Sequence, residues 1–261
     1  MNESSAAAAD VPDGVRWLGH STVLVELDGV RILTDPLLRK RVLHLRRSAP
    51  LERGGLEALD GILVSHVHYD HLDRPSLRRL PREAEVVVPR GAGQLLRRSG
   101  FASVVELAAG EQTSLGTLGV RALASRHDSG RALGTKTEAL GYVIEGSRRI
   151  YFPGDTDLFP GMAELAPGLD LALLPIWGWG PSLGAGHLDP AKAAQALGLL
   201  RPRIAIPIHW GTYYPLTVAR PSQRAFLRAP VAEFVRLAAE LAPAVEVRVL
   251  EVGDSFRFGQ G

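Results

Sequence analysis

The chain has 261 residues, 46% of them apolar, enough to bury a substantial core at the upper end of one domain or the lower end of two. Thirty Lys and Arg stand against 28 Asp and Glu, and a net charge of +2 lacks the basic excess of a nucleic-acid-coating protein. There is no cysteine, so disulfides and thiolate zinc sites are excluded, and any metal must be held by His, Asp or Glu.

The first 14 residues, MNESSAAAADVPDG, lack the basic start and long apolar stretch of a secretory signal. They read as a flexible tail ahead of a single domain over 15–261. No apolar run approaches the ~20 residues that span a bilayer. With no cysteine present, a cytoplasmic location is expected.

Strands are predicted over 15–18 and 22–27, then, after the turn signal Asp28-Gly29, over 30–34. Segment 37–49, LLRKRVLHLRRSA, mixes leucines with six basic side chains. It reads as a solvated loop covering part of the site, with a face lying on an anionic membrane as the alternative. The apolar run 61–64 predicts a buried strand, and 72–80 a helix with Asp73 as cap and Pro75 in the first turn. Further strands are predicted at 85–88, 104–107, 120–125, 141–145, 149–152, 169–175 and 203–207. Asp189-Pro190 opens a helix through Leu200, and 231–241 is the last helix. Strands first and strands alternating with helices later imply an α+β or α/β protein with helices covering sheet faces.

The strongest chemical signal is His66-x-His68-x-Asp70-His71, directly after the apolar run. In an extended chain residues two apart point the same way, so His66 and His68 can grip one ion together. Asp70 and His71 turn away at the following junction and can serve a neighbouring ion. Four such groups within six positions are costly to bury unless a cation satisfies them. The other histidines are His20, His44, His127, His187 and His209. His127 and His209 follow predicted strands, as does Asp155 in Pro153-Gly154-Asp155-Thr156, and strand ends are where active-site groups are presented.

This series resembles the ligand set of the metallo-β-lactamase superfamily, whose fold is a four-layer αββα sandwich. It is similar to the branch holding N-acylphosphatidylethanolamine phospholipase D and ascorbate-6-phosphate lactonase. The matching pieces are Trp17–Thr22, Leu33-Thr34-Asp35-Pro36, Ser65 through Asp73, Gly154-Asp155-Thr156, His187-Leu188-Asp189-Pro190 with Ala193, and Pro207 through Thr212. One departure stands out. Where phospholipase-like members carry His-Trp-Ser-Gly-Arg, this chain reads His127-Asp128-Ser129-Gly130-Arg131, and an acid there disfavours an anionic headgroup.

The resemblance implies that His66, His68 and His127 hold one metal, that Asp70, His71 and His209 hold a second, and that Asp155 bridges them. It implies two divalent ions, zinc first, with manganese or iron also suited to these ligands. It further implies a shared hydroxide that cleaves a phosphodiester or a lactone or other ester bond. Asp70 is accordingly expected in catalysis as well as in binding. His187, in the Gly-rich loop ahead of a helix, is the candidate proton donor, whereas His20 is expected to make a core hydrogen bond and His44 carries no assignment. Trp177, Trp179, Tyr213 and Tyr214 are loop aromatics suited to lining a pocket, and Arg131 to anchoring a phosphate or carboxylate. The expected partner is a small or lipid-like substrate, with peripheral membrane contact open. The rival readings are a nuclease of the same superfamily, a di-iron redox protein on the same scaffold, and a metal-free scaffold.

Overall fold

The computed structural model describes residues 12–51, 54–129, 131–132, 135–178, 184–218 and 225–259. Most of the stretch read as a tail, residues 1–11, lies outside them. Two seven-stranded sheets build the molecule. The first runs in the order Ser255–Arg257, Gly14–Gly19, Thr22–Leu27, Val30–Thr34, Gly61–Leu63, Glu85–Pro89, Val104–Leu107. The second runs Glu246–Val247, Ile204–Ile208, Leu171–Pro175, Arg149–Phe152, Leu140–Glu145, Leu118–Ala124, Gln112–Leu115. Each sheet is antiparallel on one side and parallel on the other.

The parallel strands are short apolar runs with both faces covered, as in Leu171–Pro175 and Ile204–Ile208, where every residue is buried. Alternation sorts the side chains between layers. Val23, Val25 and Leu27 face the second sheet and join Val120, Tyr142, Ile144, Leu173 and Ile206 in one core. Leu24, Leu33, Ile62 and Val86 point the other way, onto Leu77, Leu95 and Leu96 of the helices Arg74–Leu77 and Gly93–Arg97. The helices Pro190–Leu200 and Ala229–Leu241 contact one another and bury Leu197, Leu200, Phe234 and Ala238 in the central core. The result is a four-layer αββα sandwich. Among the described residues no helix is long and apolar enough to cross a membrane.

Two predicted elements change. The helix expected over 72–80 is only Arg74–Leu77. Asp73 does cap it, accepting from Ser76 N at 3.0 Å, but Pro81 biases the residue before it away from helical geometry. Segment 37–49 is not a solvated loop. It holds a hairpin, Arg41–Val42 with Leu45–Arg47, and the inner strand pairs with Tyr213–Pro215. Leu37, Val42 and Leu45 are buried around Tyr213, because Val42 and Leu45 point inward while Lys40, Arg41 and Arg46 face out.

Candidate metal centre

The site lies where the parallel strands end, the edge at which α/β sheets present ligand-binding groups. Val30–Thr34 delivers Asp35, Gly61–Leu63 delivers Ser65 through His71, Arg149–Phe152 delivers Asp155, and Ile204–Ile208 delivers His209. Leu118–Ala124, next to the parallel half, delivers His127. Two links hold the edges of the sheets together: Leu140 N donates to Ser65 O at 2.9 Å, and Tyr142 Oη to Val64 O at 2.9 Å. Gly154, at φ +61°, lets the Asp155 loop close on Ser65. A Cβ there would sit 2.4 Å from the Ser65 Cβ.

All seven residues of the sequence-derived set converge. The ring nitrogens of His66, His68 and His127 form one group, with His66 Nε2 at 3.0 Å and His127 Nε2 at 3.1 Å from His68 Nδ1. Asp70, His71 and His209 form a second, joined by His20. Asp155 faces both: its carboxylate lies 3.3 Å from His71 Nε2 and from His209 Nε2, and it forms a further group with His66 and His71.

Hydrogen bonds on the far side of four of the five rings aim these nitrogens. His66 Nδ1 donates to Ser65 Oγ at 2.9 Å, and Ser65 Oγ donates to Asp35 Oδ2 at 2.5 Å. His71 Nδ1 donates to Asp35 Oδ2 at 2.7 Å. His127 Nδ1 donates to Gly186 O at 2.9 Å, and His209 Nδ1 to Trp177 O. Each of these four rings then presents Nε2 as a lone pair, the tautomer a metal requires.

His71 provides the test of fit. Its Nδ1 hydrogen is committed to Asp35, its ring is fully buried, and its Nε2 has no hydrogen-bond partner. That Nε2 looks at Asp70 Oδ2 and Asp155 Oδ2, both at 3.3 Å. A lone pair buried against two carboxylates is repulsive, and a cation among them removes the conflict. The donor set therefore fits a divalent metal.

Without a cation, protons compensate. Burial alone would lower the His71 pKa, but Asp155, Asp70 and Asp35 outweigh it and raise it well above the usual histidine value. His209 is likewise raised against its burial, by Asp155 and Asp70. Burial works to raise Asp70 and Asp155, yet the imidazoles around them, His71 for the first and His209 with His71 for the second, hold both well below the carboxylate range. Burial, the largest influence on each, leaves His66, His68 and His127 with lowered pKa values, so that group stays neutral.

His187 also joins the site. Its Nε2 lies 3.7 Å from Asp155 Oδ2, its ring edges onto His127 at 4.7 Å, and it is 24% exposed. His20 does more than make a core hydrogen bond. Its Nε2 donates to Asp70 Oδ2 at 2.8 Å and its ring lies over His209 with centroids 3.8 Å apart. Burial, then His209, lowers its pKa to about 3, which keeps it a neutral donor. Its backbone is left-handed at φ 55°, as is that of His209 at 62°, and His209 N donates to His20 O at 3.0 Å.

Two of the four loop aromatics, Tyr213 and Tyr214, depart from expectation. Tyr213 is buried, donates its hydroxyl to Arg39 O at 2.8 Å and sets its edge on His20 at 5.8 Å, so it supports the site from behind. Tyr214 is buried too. Trp177 contributes its carbonyl, and its half-buried ring packs on Phe226. Trp179 and the side chain of Arg131 lie outside the described residues. Sequence reasoning assigns no role to Asp35 or Ser65; the signal that could have found Asp35 is a carboxylate directly after the apolar strand Val30–Thr34.

Such a cluster on the edge of an αββα sandwich is the arrangement of the metallo-β-lactamase fold. The chain belongs to that superfamily, since residues 30–210 match the beta-lactamase superfamily domain. It is 32% identical over 246 residues to a metal-dependent hydrolase of Caldivirga maquilingensis, across 92% of this chain and 96% of the relative. It is 34% identical over 225 residues to the N-acyl-phosphatidylethanolamine-hydrolyzing phospholipase D 1 of Caenorhabditis elegans. That match covers 76% of this chain and 63% of the worm protein, less than two thirds of its length. Among solved structures, a metallo hydrolase from Ignicoccus hospitalis aligns with a TM-score of 0.68 at 26% identity, covering 95% of this chain and all of that one.

Proposed function

We propose that the protein hydrolyses a phosphodiester with two divalent metal ions, zinc first among them. His66, His68 and His127 would hold one ion, Asp70, His71 and His209 the other, and Asp155 would serve both. The observation that carries this reading is the Nε2 of His71, buried without a hydrogen-bond partner between two carboxylates. Two such ions would supply Lewis acidity toward a phosphoryl or carbonyl oxygen and a water acidified toward neutral pH.

The chain's own groups do the rest. Asp35 and Ser65 hold His66 and His71 in the tautomer that leaves Nε2 free, and His20 holds the Asp70 carboxylate in place. His187, beside Asp155 and partly exposed, donates a proton to the leaving oxygen. An open cleft of about 650 Å³ beside His127, lined by Arg126, Asp128, Asp157 and Phe159, receives part of the substrate. The named activity of the C. elegans relative, on a phospholipid, supports the phosphodiester reading. Asp128 on the cleft wall supports a second reading, a lactone or other uncharged ester, because it repels an anion. A net charge of +2 supports a small or lipid-like substrate over RNA or DNA.

The test is turnover of a phosphodiester, a lactone, a phospholipid and an RNA oligonucleotide by metal-loaded protein, with His68→Ala as control. Phosphodiester turnover that vanishes in the control is expected. Turnover that survives in His68→Ala overturns the mechanism, and turnover confined to the lactone selects the second reading.

A further inference from the structure

The hairpin Arg41–Val42/Leu45–Arg47 turns through Leu43 and His44, and its tip breaks three rules of a solvated surface. Leu43 is 72% exposed, the most of any large apolar side chain among the described residues. It also has a left-handed backbone, φ 49°, at the hairpin position where glycine, asparagine or aspartate is the unstrained choice. Leu216 is a second exposed apolar residue at 45%, and its N donates to His44 O at 2.9 Å, so it lies beside the turn. Water gives neither leucine a reason to be there.

The charges are equally unusual. Arg41 and Arg46 are direct cross-strand partners, both exposed, an arrangement in which like charges repel. Lys40 adjoins them and is exposed as well. Among the described residues none of these three has a carboxylate partner, whereas nearby Arg39 pairs with Asp73 at 3.0 Å. The sequence explains why. Segments 37–51 and 209–232, which supply all three strands of this small sheet, contain no Asp or Glu.

We propose that this tip docks on the surface of an anionic lipid bilayer. Leu43 and Leu216 enter the interface, and Lys40, Arg41 and Arg46 meet headgroup phosphates. A nucleic acid would match the charges but would leave both leucines in water, so the apolar pair selects the bilayer. The tip is tied to the metal centre. Tyr213, in the strand paired with Leu45–Arg47, sets its edge on His20, and the buried Arg47 donates to Leu18 O two residues before His20. The inference goes beyond the hydrolytic reading, since it concerns where the protein sits and not which bond it cleaves.

The test is sedimentation of the full chain with vesicles of phosphatidylcholine alone or mixed with phosphatidylglycerol. Binding to the mixed vesicles only, weakening with salt, is expected. Leu43→Gly suits the left-handed turn, so its melting temperature should hold or rise while binding weakens about tenfold through loss of the buried side chain. Arg41→Glu with Arg46→Glu should weaken binding by at least about fivefold per residue. Absence of binding to anionic vesicles at low salt overturns the proposal, as does unchanged binding by Leu43→Gly. Salt-sensitive binding to an RNA oligonucleotide without vesicle binding overturns it in favour of a nucleic acid.

Discussion

The two sheets contribute to the metal centre in different ways. The first supplies His66, His68, Asp70 and His71 from one loop, and it aims His66 and His71 through side chains, Ser65 and Asp35. The second supplies His127, Asp155 and His209 from the ends of three strands, and it aims His127 and His209 through the carbonyls of Gly186 and Trp177. A contiguous loop can be preorganised by one carboxylate. Scattered residues depend on the backbone of whole loops, and so on the packing of the entire sheet.

Asp155 is the point at which the two contributions meet, and its loss should do the most damage. Asp155→Ala is expected to lower kcat/KM by about a thousandfold or more, with a fall in bound metal by elemental assay. Full metal content and near-normal turnover would show that the second sheet's carboxylate is dispensable. Next in size is His187→Ala, expected to cost about a few hundredfold in kcat with metal content unchanged. A loss of only a few-fold removes its role as proton donor while leaving the metal assignments standing.

The contrast between side-chain and carbonyl orientation is tested by a matched pair. Asp35→Asn should weaken metal binding by about ten- to a hundredfold, because the amide cannot accept from Ser65 and His71 as the carboxylate does. Gly186→Ala should cost only a few-fold. Its backbone is at φ +85° and an added Cβ would lie 3.3 Å from His127 Nδ1, so the carbonyl shifts but survives. Equal losses in the two variants would erase the distinction drawn between the sheets.

The smallest effect is in pH. A pKa held well above the ordinary histidine value on His71, and a raised one on His209, mean that these rings bind protons more tightly than free imidazole in the metal-free protein, and a cation must compete with those protons. His66, His68 and His127, with lowered values, have none to expel. Stepping down from about pH 8 to about pH 6 should therefore release metal from the carboxylate-bearing group first, seen as stepwise loss in a competition titration. The metal-free fold runs the opposite way. The raised values add stability that is full below the ordinary histidine value of 6.5 and is lost as pH rises through the higher folded values. Simultaneous release of both ions would contradict the split.

Legibility in the sequence followed locality. The parallel strands read clearly because buried runs such as Leu171–Pro175 are apolar throughout, and the helix Pro190–Leu200 because Asp189 and Pro190 announce its start. The helices Gly93–Arg97 and Arg74–Leu77 are poorly legible, since one turn of helix leaves little periodic pattern. The edge strand Ser255–Arg257 escaped because its pairing with Gly14–Gly19 joins the two ends of the chain. Tyr213 was misjudged because an aromatic in a loop-like sequence can be buried by a hairpin that lies about 170 residues away in the chain.

What the sequence determined alone was the chemistry on offer: no thiolate, one tight run of imidazole and carboxylate groups, and apolar strands that end just before such groups. These are properties of neighbours along the chain, which side-chain identity and strand periodicity settle. The tertiary structure decided which distant groups face one another. It set His71 between two carboxylates, turned Asp35 into the orienter of two rings, brought His20 onto Asp70, and placed beside an exposed leucine two arginines that have no carboxylate partner among the described residues. Those outcomes depend on the register and closure of two sheets, and no local pattern encodes that.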